Sequence, residues 1–337
     1  MRVYCDLASY NLKDVPELAK RAEELGFDGI SFGELAHDSF LLSTLALEHT
    51  KKLKVATGIA IAFARSPMIS AYMAWDLQRM SNGRFELGLG SQVKGHNERR
   101  FSVKWSAPAP RLKEYAQSIK AIWDCWQNGT QLNYQGEHYA FTLMTPEFDP
   151  GPLDCDQPPI YIAAVGPGMT RIAASSSDGV LLHTFNSKRY VDEVILPQIS
   201  QVANRSGRSS EEIFVSGGGM IAIGATEQEV QVAKEVYRKR ISFYGSTRSY
   251  KAILDMHEWG DTCLRLHDLS KKGKWDEMPD LIDDTMLNTF CVSGTYKDIG
   301  PDLKARYGDY ASRVTIRLPQ DENVYSDVGN LINYLHE

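Results

Sequence analysis

A chain of 337 residues with 43% apolar and 24% charged residues can bury a full globular core and suits one large domain or two ordinary ones. Its net charge of -6 is mild and its acids and bases are mixed along the chain, which excludes the basic footprint of a nucleic-acid binder or a membrane-surface protein. The five cysteines form no C-x-x-C pair, MRVYCDLASYNLKD has no apolar signal core, and no run approaches the ~20 apolar residues of a membrane span, so the expectation is a cytoplasmic protein with free thiols.

RVYCDLA (2–8) reads as a first strand. Val15, Leu18, Ala19, Ala22 and Leu25 then recur at helical spacing, with Gly26 placed to stop the helix, and GISF (29–32) is a second strand. A helix over 40–52 leads to LKVATGIAIAF (53–63) as a third strand. The helix that follows has Pro67 in its opening turn and Gly83 just past its end, and RFELGLG (84–90) is a fourth strand. In 110–129 the residues Leu112, Tyr115, Ala116, Ile119, Ile122, Trp123 and Trp126 share one helix face. PPIYIAAVG (158–166), DGVLLHTF (178–185), EIFVSGGGMIAIGA (212–225) and RVTIRL (313–318) are further strands, about eight in all. Thr226 and Glu229 stand at capping-box spacing at the head of the helix over 225–240. Segments 92–109, 130–157 and 244–291 interrupt the rhythm and read as loop insertions, the second with a small hairpin in YQGEHYAF (134–141).

Parallel strands separated by helices either close into a barrel or spread as a doubly wound sheet. A dinucleotide fold needs G-x-G-x-x-G after its first strand. CDLASYNLKD has no glycine there, GLGSQV lacks the third, and GPGMTR carries Pro167 and Arg171 in the pattern. The expectation is therefore one domain over 1–337, a (β/α)8 TIM barrel with its insertions and active site at the C-terminal ends of the strands.

In AAVGPGMT a strand of small residues runs through Gly166, Pro167 and Gly168 into a helix start, where backbone amides can meet an anion; an ordinary tight turn is the alternative. GLGSQVKGHNERRF gathers Lys94, His96, Arg99, Arg100 and, just beyond, Lys104 into one cationic loop of an acidic protein, unless it is simply a solvated charged loop. Together they suggest a small phosphorylated ligand. No H-E-x-x-H or clustered Cys/His spacing suggests a metal, and no G-x-S-x-G elbow suggests an acyl nucleophile. Phe63, Trp105 and Phe243 are among the loop aromatics that would line a cavity for an apolar or planar substrate.

The order of ELGFDGISFGE, VATGIAIAFARSP, LQRMSNGRFELGLGS and PPIYIAAVGPGMTRIAASSSDGVLLHT resembles the bacterial luciferase-like superfamily, specifically its branch of coenzyme F420-dependent oxidoreductases. The resemblance implies a barrel that binds F420, or alternatively FMN, across its mouth. By it, a non-proline cis peptide lies between Gly58 and Ile59 in a bulge that, with Ala60, supports the ring; a simple glycine bulge is the alternative. Arg65 would serve the cofactor mouth or act as a surface salt-bridge partner. Ala164, Val165, Gly166, Pro167, Gly168, Met169 and Thr170 would hold the phosphate with His183 or Thr184 nearby, and Gly90 and Ser91 would follow the ribityl chain. Lys94, Arg99 and Arg100 suit the acidic oligoglutamate tail of F420 better than FMN, which ends at its phosphate.

The catalytic histidine of some deazaflavin dehydrogenases has no counterpart, because Glu34 and Leu35 occupy the matching Asp-His positions. Glu34 as a buried proton donor, or His37 two residues beyond Leu35, would replace it, although His37 also reads as a loop histidine with a solvent partner. The leading expectation is hydride transfer between F420 and a small organic substrate by a homodimer. A reduced-FMN monooxygenase of the same fold and a non-catalytic cofactor-binding barrel are the rivals.

Overall fold

The structure is a computed structural model that describes residues 1–7, 10–217 and 219–337; Ala8 of the expected first strand and Gly218 of the expected strand 212–225 lie outside the described residues. Eight parallel strands close into a barrel: β1 Arg2–Asp6, β2 Gly29–Phe32, β3 Lys54–Thr57, β4 Phe85–Gly90, β5 Ile160–Ala164, β6 Gly179–Leu182, β7 Phe214–Ser216 and β8 Arg313–Arg317. Each pairs with its successor, and β8 closes the ring with Arg313 opposite Ser216 and Ile316 opposite Cys5. The short strand Ala60–Ile61 continues β3 after a break and lies beside Leu89 and Gly90 of β4.

The helices start and stop where the local chemistry says they should. In α1 (Val15–Glu24) proline sits in the first turn, and Gly26 at φ +88° follows the last. Asp38 caps α2 (Ser39–Glu48) by accepting from the Phe40 and Leu41 amides, and Ser66 caps α3 (Pro67–Ser81) through the Met68 amide. The whole apolar face read from 110–129 is buried on α4 (Pro108–Asn128). Two further helices, α5 (Pro167–Ser176) and α6 (Leu196–Arg205), follow β5 and β6.

Two expectations need correction. The run 212–225 is not one strand: β7 ends at Ser216, and Met220–Gly224 leaves the barrel to pair in parallel with Cys291–Thr295. Gly219, at φ +120°, is where the chain turns away. The segment 244–291 is accordingly more than a loop. It contains helices Lys251–Met256, Gly260–Lys271 and Asp284–Phe290, and it delivers the strand that Met220–Gly224 needs. Helix α7 (Glu227–Gly245) covers this small sheet, starting at a capped Thr226 whose Oγ1 accepts from Glu229 N, while Glu229 accepts from Ala225 N. The hairpin in 134–141 forms as read, Tyr134–Gln135 against Ala140–Phe141.

The N-terminal end of the barrel is closed by charge. Buried Glu86 accepts from Arg313 Nη1 at 2.9 Å and Arg2 Nη1 at 3.2 Å, and the Arg313 guanidinium lies 4.6 Å from the Tyr4 ring centroid. A buried carboxylate with two arginine partners avoids the cost of an unpaired charge. The opposite, C-terminal end is left open.

Candidate active site

A cavity of about 710 Å³ opens at the C-terminal ends of the strands. Its wall takes residues from every barrel strand end except β4: Asp6 at the end of β1, Phe32 and Gly33 at the end of β2, Gly58 and Ile59 after β3, Ala164 and Val165 at the end of β5, His183 and Thr184 after β6, Ser216 and Gly217 at the end of β7, and Thr315 and Arg317 on β8. Tyr10, His37, Tyr237, Arg240 and Tyr244 enclose it from the loops and α7. This volume accommodates a cofactor-sized or drug-sized ligand.

The break in the third strand is a matter of close approach. A Cβ on Gly58 would stand 2.1 Å from Ser31 Oγ of β2, so only glycine fits unless Ser31 turns away. The Gly58–Ile59 peptide bond is cis. The Ile59 side chain in turn fills the space over Gly90, where a Cβ would meet it at 2.7 Å. Gly58 and Ile59 thus form a step in the cavity wall, and the Ile59 side chain packs over Gly90, which with Ser91 does not line the cavity; Ala60 pairs with Leu89 just behind.

Glu34 and Arg65 are brought together, and neither lines the cavity. Arg65 donates through Nη1 to Glu34 Oε2 at 2.9 Å, through Nη2 to Glu34 Oε1, and again through Nη2 to Asp38. Glu34 Oε2 also accepts from Ile61 N at 2.7 Å. With side chains only 10% and 15% exposed, the carboxylate and the guanidinium satisfy one another and clamp the β2 and β3 loop ends. The geometry goes against the expectation of Glu34 as a proton donor and of Arg65 as a cation at the cofactor mouth, since both side chains are engaged with one another outside the cavity wall; Arg65 is the salt-bridge partner of the alternative reading. His37 is half-buried, lines the cavity and lies 6.1 Å from the Tyr10 ring.

Gly166 caps α5 without any side-chain hydrogen bond, and a Cβ on Gly166 or Gly168 would meet nothing within 4 Å. The first amides of α5, at Gly168 and Met169, thus begin a helix without a side-chain cap just after Val165 of the cavity wall, although Gly166–Thr170 are not themselves part of that wall. Thr170 turns its hydroxyl back to Gly166 O at 3.2 Å. His183 is a neutral imidazole: Nδ1 accepts from Phe185 N at 3.0 Å, Nε2 faces Tyr250 Oη at 3.3 Å, and burial pushes its pKa down to about 4. It can offer an anion a neutral surface, but no charge. Thr184 is exposed at the rim.

The cationic loop is shaped by Gln92 and by Asn97, the latter a residue the motif reading passed over. Gln92 adopts φ +56°, and buried Asn97 donates to Ser91 O at 2.9 Å and Val93 O at 3.1 Å, folding Lys94–Arg99 into a short helix. Arg100 Nη2 donates to Leu35 O at 2.9 Å, which fastens the loop to the cavity rim, while Lys94 reaches Glu98 at 3.9 Å. Arg99 and Lys104 are exposed.

None of the three aromatics expected to contact substrate lies in the cavity wall. Phe63 is buried under the Arg111 guanidinium, 4.3 Å from its ring, with Trp105 edge-on at 6.5 Å, and Phe243 projects from the outer side of α7 toward Trp275. Tyr10, Phe32, Tyr237 and Tyr244 are there instead. Asp6 and Arg317 were also missed, although each ends a strand at the catalytic end of the barrel, which is the signal that finds them. They pair at 3.6 Å, and desolvation inside the cavity, to which the Asp6 side chain is open, raises its carboxyl despite that arginine. Glu114, Glu137 and His138 cluster near α4, but the Glu114 carboxylate is taken up by the amides of residues 137, 138 and 139 and anchors the hairpin.

This architecture has relatives. The chain is 45% identical over 298 residues to an uncharacterized protein of Mycobacterium tuberculosis, covering 88% of each. It is 26% identical over 288 residues to the 5,10-methylenetetrahydromethanopterin reductase of Archaeoglobus fulgidus, covering 83% of this chain and 82% of the other. Among solved structures, the coenzyme F420-dependent tetrahydromethanopterin reductase of Methanopyrus kandleri superposes with a TM-score of 0.77 at 21% identity, covering 99% and 97% of the chains. An EDTA monooxygenase from Chelativorans shares the fold at a TM-score of 0.75 and 14% identity, covering 100% and 93%. Residues 2–313 match the model of the luciferase-like monooxygenases, and the chain belongs to that family.

Proposed function

We propose that this protein is an F420-dependent oxidoreductase that moves a hydride between the deazaflavin and a small organic substrate bound in the same cavity. The observation that carries this reading is the cationic loop fastened to the cavity rim by Arg100 and Leu35. F420 continues past its phosphate into an acidic oligoglutamate tail that such a loop can meet, whereas FMN ends at the phosphate. The sequence relationship to methylenetetrahydromethanopterin reductases, and the F420 dependence named for the Methanopyrus kandleri structure, support the same choice.

The residues fit such a group. The start of α5 from Gly166 to Thr170, which no side chain caps, suits a phosphate, and Gly58 and Ile59 line the same cavity as Val165 just before it. Bound F420 supplies the hydride chemistry at its C5 carbon. The protein's work is to bind, orient and exclude water. Neutral His183, backed by Tyr250, keeps one side of the cavity uncharged. Glu34 and Arg65 hold the β2 and β3 loops in place, and His37, which faces the cavity, is the residue we assign to carry the substrate's proton. We further read the chain as a single-domain, cytoplasmic homodimer, in keeping with its five free cysteines.

Titration of the purified protein with F420 and FMN, each oxidised and reduced, tests the reading by fluorescence and thermal shift at fixed salt. Tight F420 binding with little response to FMN is the expected outcome. Preference for reduced FMN, together with oxygen uptake on turnover, would move the protein to the monooxygenases.

A further inference from the structure

The cavity has an electrostatic asymmetry that the cofactor reading does not use. The strand ends assigned to the cofactor, β3 to β6, place no charged side chain in the wall. The opposite side, formed by β1, β8 and α7, carries Asp6, Arg240, Arg313 and Arg317. Arg313 is occupied at the cavity floor by Glu86 at 2.9 Å. Arg317 shares Asp6 at 3.6 Å, with both side chains close to half exposed to the cavity (43% and 49%). Arg240 has no carboxylate within ion-pair distance among the described residues; its guanidinium lies 5.6 Å from the ring of Tyr237, one turn earlier on α7. Two guanidinium groups therefore face one carboxylate, and this wall carries an excess of one positive charge.

We propose that Arg240 and Arg317 bind a carboxylate carried by the substrate, so that the substrate is a planar, largely apolar molecule bearing one carboxylate group. This rests on the reading that the cofactor takes the β3 to β6 side and leaves the β1, β8 and α7 side to substrate. The planar guanidinium fork matches a carboxylate in a bidentate fashion. A single uncompensated cation balances a monoanion better than a phosphate dianion. Tyr10, Phe32, Tyr237 and Tyr244 supply the aromatic surroundings for the rest of the molecule. The arginines also serve specificity, because a neutral analogue would leave Arg240 without the partner it lacks.

Benzoate and its neutral isostere benzamide are the test ligands, titrated calorimetrically into both the cofactor-free and the F420-loaded protein. Benzoate is expected to bind at least tenfold more tightly than benzamide. Arg240→Gln and Arg317→Gln should each remove most of that preference while F420 affinity stays within twofold of the wild type. Asp6→Asn, which removes the competing carboxylate, should strengthen benzoate binding severalfold. Circular dichroism melts of the variants establish that they fold. Absence of an arginine-dependent preference for benzoate overturns the proposal. Failure of F420 to bind, with the benzoate preference intact in the cofactor-free protein, overturns the cofactor reading and leaves the carboxylate subsite standing.

Discussion

Arg65 closes over Glu34 with both terminal nitrogens, each meeting a different carboxylate oxygen, at 2.9 Å for Nη1 and Oε2. The pair joins the loop after β2 to the loop after β3, and Glu34 extends the link to the Ile61 amide. Removing the cation leaves a carboxylate with 10% of its side chain exposed and no countercharge, a loss of the kind that costs about 3 kcal/mol. Arg65→Met should lower unfolding free energy by roughly that amount in urea. Glu34→Gln, which keeps an acceptor for Ile61, should cost nearer to 1 kcal/mol. Equal and negligible losses from both substitutions would show that the clamp contributes nothing.

Gly166 offers a substitution whose two effects have opposite signs. Its backbone at φ -108° and ψ 168° is already that of a helix N-cap, with open space where a Cβ would stand. Gly166→Asp should cap α5 and stabilise the fold by a few tenths to about 1 kcal/mol. The same carboxylate would occupy the amides assigned to the cofactor phosphate and weaken F420 binding by about tenfold or more. A more stable variant with unchanged F420 affinity would place the phosphate elsewhere.

On the proposed reading, the cationic loop distinguishes F420 from FMN. Arg99 and Lys104 are exposed, so reversing both charges to glutamate leaves the core untouched. F420 affinity should fall by about five- to tenfold at low salt and by less at high salt, where screening already weakens the attraction. FMN affinity should not change. A parallel loss for both ligands would mean that the loop acts on the phosphate or on the protein's general field, and not on an acidic tail.

His183 makes stability depend on pH in a defined window. The unfolded chain takes up a proton at this residue near 6.5, whereas the folded protein resists protonation until about 4, because burial disfavours the imidazolium. The folded-state pKa is depressed, so the contribution is fully present above about pH 6.5 and is lost as pH falls toward 4. The depression corresponds to about 3 kcal/mol. Thermal melts from pH 7 to pH 4.5 should decline less steeply for His183→Gln than for the wild type. Identical slopes would mean that the imidazole is readily protonated in the folded state.

The alternation of strands and helices was legible in the sequence because each element carries its own period and its own stops. The face Leu112 to Trp126 is buried as spaced, and Gly26 ends its helix as placed. The exclusion of a dinucleotide fold by glycine positions led to the barrel, and AAVGPGMT marked the helix start at Pro167. Local pattern failed where partners are distant. The run 212–225 has one continuous β-rich composition, yet only pairing with Cys291–Thr295 decides that it breaks at Gly217. Phe63 and Phe243 have the same loop-like neighbourhoods as Tyr10, and burial under Arg111 or projection from α7 distinguishes them.

The charged residues show the limit most plainly. Glu34 and Arg65 lie 31 residues apart, and nothing in either segment announces that each will neutralise the other. Asp6 and Arg317 end two strands that are neighbours only because the barrel closes. Backbone propensity and apolar periodicity act over a few residues, so the sequence by itself determined the elements, the fold class and the candidate phosphate turn. Which ionisable groups are satisfied and which face the cavity is set by distances of a few ångströms across the closed barrel, and the tertiary structure alone decided that.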